Sequence, residues 1–237
     1  MQIRYSSICD IGENRDQNQD SIYTKCFDEW GIFIVADGMG GHSDGARASG
    51  LITKRFNEWT EKVSTTISQK STADLFSELR LVISAVNDEI LADTEDGEIC
   101  GSTIVLLLVR NDSYILLSVG DSRCYELRKK LFGGNIAQLT YDEISNEPGK
   151  RNGKLTNAVG VRSPLRCNIV SGQLLRKHIF FLCTDGVYKV CTDNEIYQLL
   201  RKRTKDAISS LGDEIKNLVY KKGAKDNLSA IVVSITQ

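Results

Sequence analysis

The sequence is poor in proline and histidine, and it has no long apolar run. Its 237 residues include 2 prolines and 2 histidines, so a stiff proline-rich linker and a histidine-rich zinc or copper site are both excluded. The longest apolar run, Ile104 to Val109, is far too short to cross a bilayer. The first residues also lack the basic and apolar segments of a signal peptide. We therefore expect a cytoplasmic protein with no membrane association.

The seven cysteines make an odd count and include no Cys-x-x-Cys pair. Neither a disulfide framework nor a zinc knuckle is indicated, and we expect these cysteines to be small buried hydrophobic residues. Any metal bound by this chain must therefore be held by oxygen ligands.

Composition is otherwise that of an ordinary soluble protein, with 41% hydrophobic and 26% charged residues and a net charge of −1. This charge argues against a nucleic-acid partner. We expect residues 1–237 to form a single domain and the protein to be a monomer.

Hydrophobic spacing changes between strand-like and helix-like stretches along the chain. Apolar residues at helical spacing predict two amphipathic helices, one through Ile52, Phe56, Trp59 and Val63 and one through Leu75, Leu79, Val82, Val86 and Ile90. Strands are predicted at 3–8, 21–27, 31–36, 99–109, 114–119, 123–127, 135–139, 167–171, 178–183 and 228–235, with further helices near 193–202 and 206–221. Because strands and helices do not alternate regularly, we predict an α+β fold of antiparallel sheets covered by helices.

Acidic residues stand at the ends of several of these predicted strands. Asp37, Asp121 and Asp185 each follow a strongly hydrophobic run, and Asp226 comes just before the last one. A single Asp-Gly after a strand is usually only a turn. Several at once suggest that packed sheets bring the carboxylates together, where cations must neutralise their repulsion.

Oxygen ligands alone favour magnesium or manganese. Two such ions that share a carboxylate can deprotonate a bridging water and stabilise phosphoryl oxygens. The hydrolysis of a phosphate ester fits this arrangement.

The order of short motifs resembles that of the metal-dependent protein phosphatases, the protein phosphatase 2C or PPM family, in their compact bacterial form. Any one of these motifs is weakly specific, but the ordered set is very specific and runs nearly end to end. The matching segments begin at Gly12-Glu-Asn-Arg-Asp-Gln-Asn-Gln-Asp20 and Ala36-Asp-Gly-Met-Gly-Gly-His42, continue through Gly101-Ser-Thr103, Val119-Gly-Asp-Ser-Arg-Cys-Tyr125, Leu139-Thr140 and Leu155-Thr-Asn-Ala-Val-Gly160, and end at Cys183-Thr-Asp-Gly-Val187 and Lys225-Asp-Asn-Leu-Ser229.

The resemblance implies roles for the acidic residues and for one arginine. Asp37 would bridge two metal ions, and the carbonyl of Gly38 would bind one of them. Asp185 and Asp226 would complete the other ion's shell, with Asp20 as an outer-shell acid. Arg15 would clamp phosphate, a role that suits the guanidinium fork.

The resemblance also implies the fold and the reaction. The fold would be two packed antiparallel sheets between helical layers. The reaction would be hydrolysis of phosphoserine and phosphothreonine esters by a water that bridges two Mn²⁺ or Mg²⁺ ions. The substrates would be phosphorylated proteins, the products of a serine/threonine kinase.

The chain departs from the family pattern at three positions. Gln19 stands where many relatives have glutamate, which removes a negative charge near one ion. Met39 stands where a general-acid histidine is proposed in animal members, so the leaving-group acid is unassigned. Lys189 replaces an aspartate that, with Asp121, can hold a third ion; we predict that its ammonium pairs with Asp121 instead, which makes a third ion doubtful.

The segment from 141 to 154 corresponds to the flap beside the active site in the resemblance. It is shorter than usual, and Lys150, Arg151 and Lys154 make it basic. We expect these three residues to touch phosphoprotein substrates.

Two other functions fit parts of the pattern. A pseudophosphatase would use the same fold only to hold a partner, but it would be favoured by the loss of a metal aspartate, and Asp37, Asp185 and Asp226 are all present. A receiver-type switch phosphorylated on a strand-terminal aspartate would need a parallel, doubly wound sheet, which the strand-rich middle does not predict.

Overall fold

The computed structural model describes residues 1–41, 44–95, 98–129, 134–145, 154–174, 177–201 and 208–237. The strands are β1 (Gln2–Asp10), β2 (Asp20–Cys26), β3 (Trp30–Gly40), β4 (Cys100–Ser102), β5 (Ile104–Arg110), β6 (Ser113–Val119), β7 (Arg123–Lys129), β8 (Gly134–Gln138), β9 (Asn168–Gln173), β10 (Lys177–Cys183) and β11 (Leu228–Thr236). The helices are α1 (Asp44–Val63), α2 (Thr72–Asp93), α3 (Asp185–Tyr188), α4 (Asp193–Arg201) and α5 (Leu211–Tyr220), with a 3-10 turn at Ile67–Gln69 between α1 and α2.

The strands form two antiparallel sheets. The first has the order β1-β11-β10-β7-β8, and the second has the order β2-β3-β5-β6-β9, with β4 paired to β3. Every described pairing between these strands is antiparallel. The predicted α+β class is therefore confirmed, and the receiver-type alternative, which requires a parallel sheet, is wrong.

The core consists of three apolar clusters, because side chains of a strand alternate between the two faces of its sheet. In β3, Phe33 points between the two sheets, where it packs in one cluster with Phe180 of β10. Its neighbour Ile32 faces the other way, into the cluster that contains α1 and α2. On the far side of the first sheet, Phe181 packs with residues of α4 and α5. The layers are thus helices, sheet, sheet, helices, as the resemblance implied.

The two long helices lie where hydrophobic spacing predicted them. All four apolar residues of the first pattern are buried in α1. In α2, Ile83 is buried while Val82 is only partly buried. The buried face of the helix therefore passes through Ile83 and not, as predicted, through Val82. Ser71 caps this helix: its hydroxyl accepts from the Asp74 amide, and the Asp74 carboxylate accepts from the Ser71 amide. The helix predicted at 206–221 is described from Leu211 to Tyr220.

Strand β3 extends beyond Asp37 to Gly40, so the prediction that Asp37 stands at the tip of a strand was wrong. Gly38 and Met39 pair with Ser102 and Gly101 of β4. This partner comes more than sixty residues later in the sequence, and the glycines around Met39 have low strand propensity, so local sequence does not indicate the extension. The pairing holds the backbone that directly follows Asp37.

None of the helices in the described ranges combines the length and the hydropathy needed to cross a membrane.

Candidate metal and phosphate site

Two of the predicted acidic residues, Asp20 and Asp37, lie opposite each other on neighbouring strands. They pair directly in the ladder between β2 and β3, and directly opposed residues have their side chains on one face, with Cβ atoms about 5 Å apart. Thr103 fixes the backbone of Asp37 from the other side. Its amide donates to the Asp37 carbonyl at 2.9 Å, and its hydroxyl accepts from the Asp37 amide at 3.0 Å.

The other two predicted ligands, Asp185 and Asp226, come from the first sheet. The residues beside them are joined across β10 and β11: the Thr184 amide donates to the Ser229 carbonyl at 3.0 Å, and the Ser229 amide donates to the Thr184 hydroxyl at 2.9 Å. Gly186 packs so closely that an added Cβ would lie 1.9 Å from the carbonyl oxygen of Asn227. A glycine is therefore required here for α3 to approach the chain beside Asp226.

Thr184 also connects the two sheets. Its hydroxyl donates to Oδ2 of Asp20 at 2.8 Å, and both side chains are buried. The acids of the first sheet are thereby placed next to those of the second. Sequence reasoning missed this residue, although its place directly before a strand-end aspartate was a usable signal.

The five predicted acids, Asp20, Asp37, Asp121, Asp185 and Asp226, form one cluster in which their charges act on Asp37. Burial raises the pKa of Asp37 well above its ordinary value, and the charges of Asp20, Asp185, Asp121 and Asp226 raise it further. Burial likewise raises the pKa of Asp20 to about 7, although the Thr184 hydroxyl opposes this rise by its hydrogen bond. Carboxylates that hinder each other's ionisation in this way form a site where positive charge is favoured.

Arg15 supplies one positive charge. Its guanidinium lies 2.8 Å from Oδ1 of Asp226, and its side chain is half exposed. The hydrogen bond from Arg15 to Asp226 raises the pKa of the guanidinium, with the charges of Asp185 and Asp37 acting in the same direction. The structure therefore places the predicted phosphate clamp at the edge of the acidic cluster.

Asn227 anchors the loop that carries Arg15. Its side-chain amide donates to the carbonyls of Ile11 and Gln17 at 2.8 and 3.0 Å, and its Oδ1 accepts from the Gln19 amide at 2.9 Å. Sequence reasoning did not single out this residue, although it directly follows Asp226 in a quoted motif.

Lys189 supplies the second positive charge, but its partner differs from the predicted one. Its ammonium lies 2.5 Å from Oδ2 of Asp185, not on Asp121. The reason is local: Lys189 follows Asp185 by four residues at the end of α3, and this spacing places both side chains on one helical face. Asp121 instead accepts a hydrogen bond at 3.1 Å from the hydroxyl of Tyr188.

The base of the predicted flap is attached beside Asp121. A carboxylate oxygen of Glu143 accepts from the Gly120 amide at 2.8 Å. The two ends of the flap meet in a bridge between Ile144 and Leu155, and Lys154 is exposed. The other two predicted substrate contacts, Lys150 and Arg151, lie outside the described residues.

The residues of the cluster fit a hard divalent cation. Its donors are carboxylate and carbonyl oxygens, the ligands that Mg²⁺ and Mn²⁺ prefer. The nearby thiol of Cys9 is no competing ligand, because burial raises its pKa and keeps it protonated. Within the described ranges, no three acidic, histidine or cysteine side chains enclose a metal position. The charge of Asp226 is neutralised by Arg15, and that of Asp185 by Lys189.

The family to which the chain belongs follows from comparison with known proteins. The sequence model described as protein phosphatase 2C matches residues 13–232. The chain belongs to the protein phosphatase 2C family. It is therefore a phosphatase, that is, a hydrolase, and the resemblance drawn from the motifs is confirmed.

Two known proteins match the chain along nearly its whole length. The serine/threonine phosphatase stp of Listeria monocytogenes is 28% identical over 244 residues, which cover 94% of this chain and 92% of that protein. The structure of PppA, a regulatory component of T6SS in Pseudomonas aeruginosa, is 27% identical with a TM-score of 0.81, and the match covers 98% and 96% of the two chains.

A third similar protein was solved with metal. The catalytic domain of PstP in complex with two manganese ions has a TM-score of 0.79 to this chain at 24% identity, and the match covers 99% of each chain. At this identity the likeness concerns the fold. The full-length PstP of Mycobacterium tuberculosis is longer, and the match spans 45% of it.

Proposed function

We propose that this phosphatase hydrolyses phosphoserine and phosphothreonine esters in proteins, and that it uses two divalent ions. The observation that carries the proposal is the convergence of acids from both sheets beside an arginine. The Listeria relative is a serine/threonine phosphatase, which supports the substrate class, and the two manganese ions of the PstP catalytic domain support the metal requirement.

The ligands follow from the acidic cluster. Asp37, which lies among the other four acids, is the candidate bridge between the ions, with the carbonyl of Gly38 beside it. Asp185 and Asp226 would hold one ion from the first sheet. When bound, such ions acidify water and withdraw electron density from phosphate.

Asp20 would act as an outer acceptor. Its Oδ2 accepts a hydrogen bond from the Thr184 hydroxyl, so the orientation of the carboxylate is restricted. A carboxylate fixed in this way can align a neighbouring water by accepting a hydrogen bond from it.

Arg15 would bind the phosphoryl group of the substrate. Its side chain is half exposed, and a guanidinium can pair two phosphate oxygens at once. In the structure this guanidinium is paired with Asp226. Binding of an ion to Asp226 would therefore release Arg15 toward phosphate, which links the two events.

Two ions rather than three are proposed. A third would need Asp121, whose carboxylate accepts a hydrogen bond from Tyr188, and position 189 holds an ammonium where a further carboxylate would be needed. Mn²⁺ and Mg²⁺ both suit the oxygen ligands.

The substrates would be proteins phosphorylated by a serine/threonine kinase, and the 237 residues would act as one catalytic domain in a monomer. Residues 141–154 would form a flap at the mouth of the site. The attachment of Glu143 to Gly120 supports this position, because Gly120 directly precedes Asp121.

The test is hydrolysis of a phosphothreonine peptide and of p-nitrophenyl phosphate by protein stripped of metal and then supplied with Mn²⁺. We expect activity only with Mn²⁺ and its loss on addition of EDTA. Activity that is indifferent to EDTA would contradict the metal mechanism. Tight Mn²⁺ binding without hydrolysis of either substrate would instead indicate the pseudophosphatase alternative.

A further inference from the structure

Lys189 is held against Asp185 by more than its side chain. Its ammonium lies 2.5 Å from Oδ2 of Asp185, and its backbone amide donates to the Asp185 carbonyl at 3.0 Å. The Asp185 side chain is 18% exposed and that of Lys189 is 45% exposed. The pair is thus at the surface of the acidic cluster, with the carboxylate on the inner side.

The ammonium also interacts electrostatically with acids other than its hydrogen-bond partner. Burial lowers the pKa of Lys189, but its hydrogen bond to Asp185 and the charges of Asp185, Asp121 and Asp37 outweigh this effect and raise it. Conversely, the charge of Lys189 opposes the rise that burial and Asp185 cause in the pKa of Asp121. Lys189 therefore interacts electrostatically with three acids of the cluster, Asp185, Asp121 and Asp37.

We propose that Lys189 is a built-in counter-ion of the metal site, one that competes with a divalent ion for Asp185 and lowers the affinity of that ion. This inference rests on the proposed function, because it assumes that Asp185 is a metal ligand. In the metal-free protein, the ammonium offsets the repulsion among the acids. In the metal-bound protein, the same charge repels the ion, whether or not the contact between Lys189 and Asp185 has been broken.

Physical chemistry sets the direction of the effect. A unit charge a few ångströms from a divalent ion changes its binding by about tenfold or more, even with partial solvent screening. Removing the charge while keeping the length of the side chain should therefore tighten binding. If Lys189 instead positioned Asp185 for the metal, the same change would weaken binding, so the two roles predict opposite signs.

The chain offers a matched control in Lys216. Its ammonium also lies 2.5 Å from a carboxylate, Oδ2 of Asp10, and its side chain is 37% exposed. It belongs to α5, and neither it nor Asp10 is a proposed metal ligand. Lys189→Met and Lys216→Met remove one surface Lys–Asp pair each, and only the first removes a charge from the cluster.

The experiment is calorimetric titration of Mn²⁺ into EDTA-stripped protein at low ionic strength, where screening is weak. We expect Lys189→Met to bind one of the two ions about tenfold more tightly than the wild type. Lys189→Arg, which keeps the charge, and Lys216→Met should bind both ions as the wild type does. Circular dichroism checks folding, and Lys189→Gln serves as a second neutral variant.

Melting temperatures give a second readout that does not depend on activity. Lys189→Met should lower the Tm of the stripped protein more than that of the Mn²⁺-saturated protein, whereas Lys216→Met should lower both equally. The inference would be overturned if Lys189→Met bound Mn²⁺ as the wild type does or more weakly. It would also be overturned if Lys189→Met lowered the Tm of the stripped and of the Mn²⁺-saturated protein equally. Failure of the wild type itself to bind Mn²⁺ would count against the proposed function instead.

Discussion

Asp37 differs from the other acids of the cluster in how completely its position is fixed. It is paired with Asp20 across one ladder, and its amide and carbonyl are both bonded to Thr103 on the opposite side. A side chain whose backbone is bonded in both directions has little freedom to move away from its neighbours. The cost of crowding its carboxylate among others is therefore retained in the structure, where a bound cation can relieve it.

The first prediction concerns this residue. Asp37→Asn keeps the size of the side chain and removes its charge, so both proposed ions lose a ligand charge and turnover should fall by about a thousandfold or more. The measurement is kcat on p-nitrophenyl phosphate with saturating Mn²⁺. Asp16→Asn, on the exposed loop that carries Arg15, is the matched control and should retain activity. An Asp37→Asn protein that turns over normally would refute the bridging role.

Arg15 gives the second prediction. Because a phosphate clamp holds the substrate and does not make the nucleophile, Arg15→Ala should raise KM strongly and lower kcat less. Arg15→Lys should recover only part of the loss, since an ammonium cannot pair two phosphate oxygens as the guanidinium does. Steady-state kinetics on a phosphothreonine peptide gives both constants. A collapse of kcat at unchanged KM would show that Arg15 acts on the transition state alone.

The elements of the fold differ in how far local sequence predicts them. The faces of α1 and the interior strands follow from hydrophobic periodicity alone, because burial imposes that period. The extension of β3 through Gly38 and Met39 could not be predicted, since it depends on pairing with the distant β4. The site shows the same division: the motifs give its acids, but not the contact of Lys189 with Asp185 or the bonds of Thr184, which arise from geometry formed on folding.

The flap gives the third prediction, at the scale of an element. Neutralising Lys150, Arg151 and Lys154 to glutamine should impair hydrolysis of a phosphoprotein more than that of p-nitrophenyl phosphate, because only the larger substrate reaches beyond the metal site. The control is Lys54→Gln with Lys62→Gln on the exposed side of α1. Equal losses on both substrates would make the segment a connector without a role in substrate binding.

At the scale of the whole molecule, the edge strand β1 of the first sheet is held to the helical layer by a polar contact. Asp10, the last residue of β1, accepts hydrogen bonds at 2.5 Å from both Lys216 and Tyr220 of α5 and at 3.0 Å from the Gly12 amide. Burial raises the pKa of Asp10, but these three bonds outweigh burial, so its pKa lies below the ordinary value.

The fourth prediction is the pH dependence of this contact. A carboxylate whose pKa is lowered by folding stabilises the protein above its unfolded pKa of about 3.9 and loses that contribution as pH falls through the folded pKa. The Tm of Asp10→Asn should therefore be below that of the wild type at pH 7, and the difference should close as the pH falls through the lowered pKa of Asp10. Asp112→Asn, at an exposed turn, should show no such convergence. A Tm difference that is independent of pH would contradict the assignment.

The acids of the site are divided between the two sheets, with Asp20 and Asp37 on one and Asp185 and Asp226 at the strand ends of the other. An ion held by Asp37 from one sheet and by Asp185 and Asp226 from the other would link the two sheets, and it is bound tightly only while the sheets keep their relative position. Substitutions among the apolar residues between the sheets, such as Phe180→Leu, can shift one sheet against the other by a fraction of an ångström. Such variants should lose metal affinity before they lose the fold. Metal affinity is therefore a measure of the packing of a core that no substrate contacts.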